Sequence, residues 1–586
     1  MIKLVIENTH TSILGQFHPD FQMAQSYHEA LRKELGYKVQ GADWSPHYKE
    51  GHWDGIISLY RKPHRDRPVP QFPTGLIRRV ITLLKVLGVK YSVEDAREKP
   101  KRDYPLETAF AENGRELRFY QKAAADKALE AGRGILALAT GGGKTICACE
   151  ILSRAGCGPF LFYVPSLSLL KQTHKEFSKY LRFGGKPVKI GMAGGGVSDL
   201  NPVGINVVTY QTVLAAYDQK YQERGNKVVD DPNAGESSRK TLDQLESEFR
   251  FVVHALNAAH KTAQNSPVKE GQSSAQRTRS VNAAISKQKK AHDKAKSALD
   301  GRRQSMKRKE ALRAVVGAAK GFIVDEAHIA AVVIEALGEH APNAYYRWGL
   351  TATAWREDNQ EIRMEGAMGR KLIEISASDL TELGFLVPAR IFMIRIAHNE
   401  PTDDYHDVYD KHIKRCWERN FRIKQVAEEF FAAGRPTLIL VEQVEHGRIL
   451  ETMIKDAIFV AGSDKGEDCL EDEPDTEKDY RRRILNDCEA GKTILIATSW
   501  AYTGVDAPAI STLILAGTNK SAVTVYQQVG RVLRPLGKDV AQSQINGKSE
   551  AVIVDFMDAQ KDLHQHSYRR KRVYQNERAW TIKMIK

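Results

Sequence analysis

Short apolar runs alternate with helical stretches along most of the chain, and the pattern begins near residue 115 and restarts near residue 388. Apolar runs of this kind between helices are typical of buried parallel strands joined by crossover helices. We predict ten strands, at 135–139, 160–164, 205–209, 322–324, 348–350, 391–396, 437–441, 493–497, 512–515 and 551–554. The fold class is therefore α/β, with two tandem domains on parallel sheets.

The flanks of these two domains have a different texture. Residues 1–100 mix strand-like stretches with a helix-like run at 76–87, which predicts a small α+β N-terminal domain. The charged, proline-containing stretch 97–105 is typical of a linker. We place the first α/β domain at 104–387, the second at 388–560, and a basic helix or tail at 561–586.

A long insertion at 218–313 interrupts the first α/β domain. Apolar residues follow a heptad spacing in its first half, at Leu242, Leu245, Phe249, Val252, Leu256 and Ala259. After a stretch at 264–275 that would break a helix, mostly small residues repeat this spacing, at Ala284, Gln288, Ala291, Ala295 and Ala298. This predicts a helical hairpin whose arms reach about 33 Å. A second, acidic stretch at 464–479 is predicted to be flexible.

Charge is concentrated in the insertion. The chain has 87 basic and 73 acidic residues, a net charge of +14, and residues 269–313 hold 14 basic and 4 acidic residues, a surplus of ten (14 − 4). A concentrated basic segment suits a polyanion, although a solvated helical face is the alternative. The insertion can therefore bind DNA or dock a protein partner.

Composition excludes several other classes of protein. No apolar run approaches the roughly 18 residues that span a bilayer, and the first ten residues do not resemble a secretory signal. Six cysteines without a CxxC pair argue against zinc and disulfide frameworks. We expect a cytoplasmic protein with no membrane contact.

The strongest local motif is a glycine-rich loop between a predicted strand and a predicted helix. It runs from Thr140 through Gly141, Gly142 and Gly143 to Lys144 and Thr145. Glycines and a helix N-terminus bind phosphates, a lysine reaches the β- and γ-phosphates, and a threonine ligates Mg²⁺. Leu138 replaces the first glycine of the strict pattern, so a simple glycine-rich turn is the alternative.

Two further motifs complete a nucleotide site. An apolar strand ends in Asp325, Glu326 and His328, where Asp325 is placed to hold Mg²⁺ and Glu326 to polarise a water. In the second domain, Gln527 precedes Arg531 and Arg534, which lie on one helix face and can act as arginine fingers. Each motif alone has a purely structural alternative, but their order along the chain is rarely produced by chance.

In this order the motifs resemble those of the superfamily 2 helicases of the DEAH type, whose two RecA-like domains bind ATP between them. The resemblance implies ATP and Mg²⁺ as cofactors, an adenine-reading Gln121, a ribose-side Gly504 and Asp506, and coupling through Thr351 and Thr353. It also implies nucleic-acid contacts from the two domains, at Pro165, Ser166, Gly195, Thr209, Thr498 and Thr503.

A narrower resemblance concerns residues 48–59 and 72–76, which are similar to the N-terminal domain of the phage UvsW helicases. That family implies an accessory DNA-binding domain at 1–100 and an ATP-dependent DNA helicase that remodels forks, four-way junctions and R-loops in recombination, repair or replication restart. For a phage-encoded protein the compartment is the host cytoplasm. We expect a monomer acting on branched or partly single-stranded DNA.

Other functions fit parts of the pattern. A double-strand DNA translocase that does not separate strands would carry the same motifs, and so would an RNA helicase, which the N-terminal resemblance disfavours. A non-catalytic nucleic-acid scaffold is opposed by the complete set of Lys144, Glu326 and Arg534.

Overall fold

The computed structural model describes residues 1–18, 20–222, 227–230, 242–265, 274–328, 331–352, 360–397, 405–461, 475–498, 507–517, 521–537 and 540–585. Within these ranges no helix is both long enough and apolar enough to cross a bilayer.

The N-terminal unit is a small mixed structure around a four-stranded sheet, whose strand order is β5-β2-β1-β6. Its elements are β1 (Ile2–Ile6), β2 (His10–Leu14), α1 (Phe21–Glu34), β3 (Gly36–Lys38), α2 (Pro46–Lys49), β4 (Ile56–Ser58), β5 (Gln71–Pro73), α3 (Ile77–Val86) and β6 (Tyr91–Asp95). Helix α3 buries Val80 and Leu84, so the apolar spacing of the 76–87 run forms one core-facing side of a helix.

The first α/β unit contains an eight-stranded sheet of order β13-β12-β14-β9-β17-β18-β8-β19, in which only β13 is antiparallel to its neighbour. Three of these strands follow the insertion, namely β17 (Gly321–Val324), β18 (Tyr346–Thr351) and β19 (Lys371–Ile375). Its elements before the insertion are β7 (Glu107–Thr108), α4 (Phe119–Ala131), β8 (Arg133–Leu138), α5 (Lys144–Ala155), β9 (Phe160–Val164), α6 (Leu167–Tyr180), β10 (Leu181–Phe183), β11 (Lys186–Pro187), β12 (Gly191–Gly194), β13 (Val197–Asp199), β14 (Ile205–Thr209) and α7 (Tyr210–Ala216).

The inserted segment contains a two-stranded ribbon and two long helices. These are β15 (Gln219–Gln222), β16 (Lys227–Asp230), α8 (Leu242–Asn265) and α9 (Ser274–Ala318). The helices run antiparallel, since Phe249 of α8 packs on His292 and Glu246 pairs with Arg303 further along α9. With 45 residues α9 is about 67 Å long, roughly twice the predicted arm.

The predicted contact line of α9 is wrong by one position at several places. Ala291 and Ala298 are exposed, whereas Ile285, His292 and Leu299 are half-buried or buried and alternate with Gln288 and Ala295. Larger apolar side chains gain more from burial than alanine does, so Ile285 and Leu299 occupy the interface. The side chain of Ala284 lies outside the described residues.

After the insertion the chain completes the first sheet and enters the second. The elements that close the first unit are β17 (Gly321–Val324), α10 (Ala331–His340), β18 (Tyr346–Thr351), α11 (Glu361–Met368), β19 (Lys371–Ile375) and α12 (Ala377–Glu382).

The second α/β unit is a seven-stranded sheet of order β22-β23-β21-β24-β25-β20-β26, parallel throughout. Its elements are β20 (Ala389–Ile396), α13 (Tyr405–Tyr409), a π-helical turn (Asp410–Lys414), α14 (Trp417–Ala432), β21 (Thr437–Val441), α15 (Val444–Met453), β22 (Ala457–Val460), α16 (Asp475–Glu489), β23 (Ile494–Thr498), β24 (Thr512–Leu515), α17 (Ala522–Val532), α18 (Val540–Ile545), β25 (Ala551–Asp558), α19 (Lys561–Gln575) and β26 (Trp580–Ile585). All ten predicted strands are present in the two sheets. Their first residues differ from the predicted ones by at most two positions and their last residues by at most four, which confirms two parallel-sheet domains.

The C-terminal segment departs from the prediction of a helix or tail at 561–586. Helix α19 is present, but β26 follows it and pairs with β20 at the edge of the second sheet. Arg570 of α19 is buried against Asp555, with Nε 2.8 Å from Oδ2, so this arginine of the basic C-terminal segment is a structural residue.

Contacts join all three units. A single buried apolar cluster runs from Leu136 of the first sheet through Leu386 to Leu438 of the second. The N-terminal unit packs on the first sheet's helices, where Arg61 lies 2.7 Å from Glu339 and Arg79 lies 2.7 Å from Glu365.

Candidate nucleotide site between two α/β units

The glycine-rich loop follows β8 at the carboxyl edge of the first sheet. Gly141 and Gly143 have φ angles of +86° and +78°, a conformation that side chains with a Cβ rarely adopt. A Cβ on Gly143 would lie 2.3 Å from Nε2 of Gln121. Gly143 is also the N-cap of α5 and supplies no side-chain cap, so the positive end of this buried helix faces the loop.

The loop is held from behind by the segment before α4. Tyr120 Oη and Gln121 Nε2 both donate to the Gly142 carbonyl, at 2.9 and 3.0 Å. Arg118 stacks on Phe385, 4.1 Å from its ring centre, while its backbone N–H donates to Gln121 Oε1 at 3.0 Å. Gln121 is thus buried and supports the loop directly in this conformation.

The acidic motif follows β17, two strands from β8. Lys144 Nζ lies 3.2 Å from Glu326 Oε1, and His328 Nδ1 lies 2.7 Å from Thr351 Oγ1 and 3.5 Å from Glu326 Oε2. One chain of contacts therefore joins the glycine-rich loop to the end of β18. Glu326 has a φ of +48°, a strained value that aims its carboxylate at Lys144.

The two carboxylates have opposite electrostatic environments. Burial, followed by the negative charge of Glu326, raises the pKa of Asp325 to about 7. Burial also works to raise the pKa of Glu326, but the charges of Lys144, His328 and Arg531 outweigh it and hold that pKa below its ordinary value. A divalent cation beside Asp325 would relieve the cost of its buried charge.

The arginine-bearing helix α17 of the second unit packs against the loop. A Cβ on Gly530 would lie 2.5 Å from Thr140 Cβ, so only glycine permits this approach. Arg534 Cγ lies 3.9 Å from the point where a Cβ on Gly141 would sit, and Val387 N–H donates to the Leu533 carbonyl at 2.9 Å. The structure therefore places Arg531 and Arg534 of the second unit beside the glycine-rich loop, at the site that holds Lys144 and Glu326 of the first unit.

The other predicted nucleotide-site residues are placed less directly. Thr145 is half-buried in the first turn of α5, and Gln527 is half-buried on α17, one helical turn before Arg531. Thr140 Oγ1 is buried and makes no hydrogen bond within the described part of the chain. Gly504, Asp506 and Thr353 lie outside the described residues.

The predicted nucleic-acid residues of the first unit share the carboxyl edge of its sheet. Pro165 and Ser166 follow β9, and Ser166 Oγ caps α6 by accepting from the Leu169 N–H at 3.4 Å. Gly195 lies at the tip of the β12–β13 hairpin with a φ of +56°. Thr209 is buried and caps α7, so its hydroxyl is occupied. In the second unit Thr498 is buried at the end of β23, and Thr503 lies outside the described residues.

Several residues of the site have no motif that would have identified them. Leu386 packs on Gly141 so closely that a Cβ added there would lie 2.9 Å from Leu386 Cδ2. Tyr210 Oη donates to the Asp325 carbonyl. Lys548 is buried and its Nζ donates to the Arg534 carbonyl at 2.9 Å, which fixes the end of α17. These contacts arise from tertiary packing, and only the aromatic Tyr210 in the segment VTYQT carries a sequence signal.

Two family models match the chain, one on each side of this site. Residues 115–230 match the type III restriction enzyme, res subunit family (ResIII), and residues 423–535 match the helicase conserved C-terminal domain family (Helicase_C).

Individual relatives differ in how much of the chain they share. The ATP-dependent DNA helicase uvsW of Enterobacteria phage T4 is 21% identical over 543 residues, 87% of this chain and 84% of that protein. A helicase of Sulfolobus islandicus filamentous virus is 24% identical over 38% of this chain, and a DNA 3'-5' helicase XPB of Kineococcus radiotolerans is 26% identical over 33%. The chain spans less than half the length of these two, 42% and 33%.

A crystal structure of T4 UvsW aligns with 100% of this chain and 99% of its own, at 18% identity and a TM-score of 0.38. The chain carries the ResIII and Helicase_C domains of a superfamily 2 helicase and is homologous to the uvsW helicase of phage T4.

Proposed function

We propose that the protein is an ATP-dependent DNA helicase or translocase that remodels branched DNA. The observation that carries this proposal is the packing of Gly530 and Arg534 from the second unit against the glycine-rich loop of the first. A nucleotide in that position contacts both units at once, so its binding and hydrolysis can change the angle between them.

The residues at this position fit a magnesium–nucleotide complex. The open N-terminus of α5, the glycine cradle and the buried Thr140 hydroxyl supply donors for phosphate oxygens. Thr145 and Asp325 would hold Mg²⁺, which supplies charge neutralisation on the phosphates when bound. Binding of the phosphates requires Lys144 to leave its ion pair with Glu326.

Each charged residue then has a distinct role. Glu326, freed from Lys144, orients and polarises the attacking water. Arg531 and Arg534 stabilise the charge that develops on the phosphoryl group. His328, bonded to Thr351, links Glu326 to the end of β18.

The domain assignment carries over as a proposal. We take 1–100 as an accessory DNA-binding domain, 104–387 as the first RecA-like domain with 218–313 as an arm inserted in it, and 388–560 as the second RecA-like domain. The C-terminal segment, predicted as a separate helix or tail, adds strand β26 to the sheet of that second domain. Pro165, Ser166 and Gly195 contact the DNA backbone from the first domain, and Thr498 and Thr503 from the second. Gly504, Asp506 and Gln527 contact the nucleoside, and Gln121 supports the glycine-rich loop.

The preference for branched DNA rests on the uvsW relationship, which covers most of the chain. We accordingly propose roles in recombination, repair or replication restart, and action as a monomer in the cytoplasm of a host cell. A partner protein on the 218–313 arm remains an additional proposal.

A second candidate function is translocation on duplex DNA without strand separation; a relative that matches 19% of this chain at 39% identity is named DNA 3'-5' translocase XPB2, from Sulfurisphaera tokodaii. The two functions are separated by comparing strand displacement on forked, four-way, R-loop and single-stranded substrates with displacement of a triplex-forming strand. Displacement of the third strand without unwinding of forks or junctions would select the translocase. Lys144→Ala is the control, and we expect it to abolish whichever of the two activities depends on ATP.

A further inference from the structure

One flank of α9 is basic and free of acidic residues between 287 and 308. The contact line of α9 against α8 is half-buried except at the buried Leu299, and it follows a heptad spacing through Ile285, Gln288, His292, Ala295, Leu299 and Arg302. On that register one flank, called here the basic flank, consists of Lys287, Lys290, Ala291, Lys294, Ser297, Ala298, Gly301, Gln304, Ser305 and Arg308. Asp293 and Asp300 lie on the opposite flank.

The basic flank is continuous with the candidate nucleic-acid edge of the first sheet. Arg308 Nη1 donates to the Gly196 carbonyl at 2.8 Å, in the hairpin that carries Gly195. Residues seven apart stay on one side of a paired helix, so Lys294 and Lys287 share the side that faces this hairpin. At 1.5 Å per residue they lie about 21 and 32 Å from Arg308.

The base of the arm is fixed to the motor. Leu312 and Val316 of α9 are buried in the core of the first unit. Asp218 accepts from Lys309 Nζ at 2.6 Å and from Arg313 Nη2 at 2.8 Å. An arm anchored in this way presents its charges at a set distance from the hairpin, so little ordering accompanies binding.

We propose that the basic flank binds the phosphate backbone of duplex DNA beside the first α/β unit; this inference rests on the proposed function. Single-strand binding sites commonly use aromatic side chains to stack bases, and the basic flank has none. Its lysines are point charges separated by small residues, which let a rigid backbone approach the helix. Ala291 and Ala298, which the sequence pattern assigned to the contact between α8 and α9, are exposed and belong to this flank.

The test compares two triple variants of the full chain with equal loss of charge. Lys287→Ala, Lys290→Ala and Lys294→Ala together remove the three lysines of the basic flank. Lys289→Ala, Lys296→Ala and Lys307→Ala remove three exposed lysines from the opposite flank of the same helix. Alanine is the strongest helix former, so both variants keep α9. Affinity for forked DNA with a long duplex arm, and for single-stranded DNA, is measured against salt concentration.

We expect the first variant alone to lower the salt slope for forked DNA by about 2 to 3, since each phosphate contact contributes about 0.9. Its single-strand affinity and its ATPase stimulated by single strands stay at the wild-type level. An unchanged slope, an equal effect of the control triple, or an equal loss on single strands would overturn the duplex site. A wild-type chain without any DNA-stimulated ATPase would instead refute the proposed function.

Discussion

Single residues of the candidate site do more than their motifs imply. Gln121 is the clearest case, because its resemblance to an adenine-reading glutamine implies a contact with the base, whereas its side chain is bonded to the Gly142 carbonyl and the Arg118 amide. Both of its polar atoms are therefore engaged in shaping the phosphate loop.

We predict that Gln121→Ala weakens ATP and GTP binding by the same factor, because a loop that has lost its support grips the phosphates of both nucleotides less well. Equilibrium binding of the two nucleotides measures this. Lys122→Ala, an exposed neighbour on α4, is the control and leaves both affinities unchanged. A selective loss of ATP affinity would assign Gln121 to base recognition instead.

At the scale of elements, the contacts that hold the N-terminal unit on α10 are electrostatic as well as apolar. Glu339 lies 2.7 Å from Arg61 and 3.3 Å from His10. Burial works to raise the pKa of Glu339, but the hydrogen bond with His10 and the charge of Arg61 more than offset it and lower that pKa to about 2.

Because the folded pKa lies below the ordinary value of 4.5, this carboxylate contributes stability above pH 4.5 and loses it as the pH falls toward 2. We predict that Glu339→Gln lowers the free energy of unfolding at pH 7 by up to about 1 kcal/mol, since the pair is partly exposed. The deficit shrinks as the pH falls from 4.5, in denaturant titrations run from pH 7 to 3. A constant deficit would contradict the ion-pair account; Glu130→Gln, exposed on α4, is the control.

The inserted arm is the element whose register the sequence misassigned, and that register can be tested. Leu299 is buried between α8 and α9, whereas the adjacent Ala298 is exposed. We predict that Leu299→Ala destabilises the arm by about 2 kcal/mol or more, through lost burial and the cavity left behind. Amide hydrogen exchange within α9 measures the local stability. Ala298→Gln is the matched substitution at the exposed neighbour and should leave hydrogen exchange unchanged. A larger effect of Ala298→Gln than of Leu299→Ala would support the contact line that the sequence predicted.

At the scale of the whole molecule, the parts predicted well are those with strong local patterns. The strands at 160–164 and 437–441 are buried on both faces of the sheet, so nearly every residue in them is apolar. A short run of this kind is typical of a central parallel strand, which is why the sequence predicted both strands correctly. The glycine-rich loop, Asp325–Glu326 and Arg531–Arg534 are likewise visible because their chemistry fixes residue type and spacing.

The parts predicted poorly depend on distant partners. Strand β26 is six residues long and becomes a strand by pairing with β20, almost two hundred residues earlier. Lys548 and Leu386 enter the site through packing between units, which leaves no local pattern. In the arm, heptad spacing correctly indicated two helices but could not choose between adjacent positions, since Ala298 and Leu299 both belong to apolar series.

The central claim is that one nucleotide is shared by two units, and Arg534 reports on it most directly. We predict that Arg534→Ala lowers DNA-stimulated ATP turnover by about 10³-fold or more while changing ATP affinity only a few-fold, because an arginine finger acts mainly on the transition state. Arg448→Ala, an exposed arginine of the same unit, is the control. Steady-state turnover and equilibrium ATP binding are measured on the same preparations. Near-wild-type turnover in Arg534→Ala would contradict a site completed by the second unit.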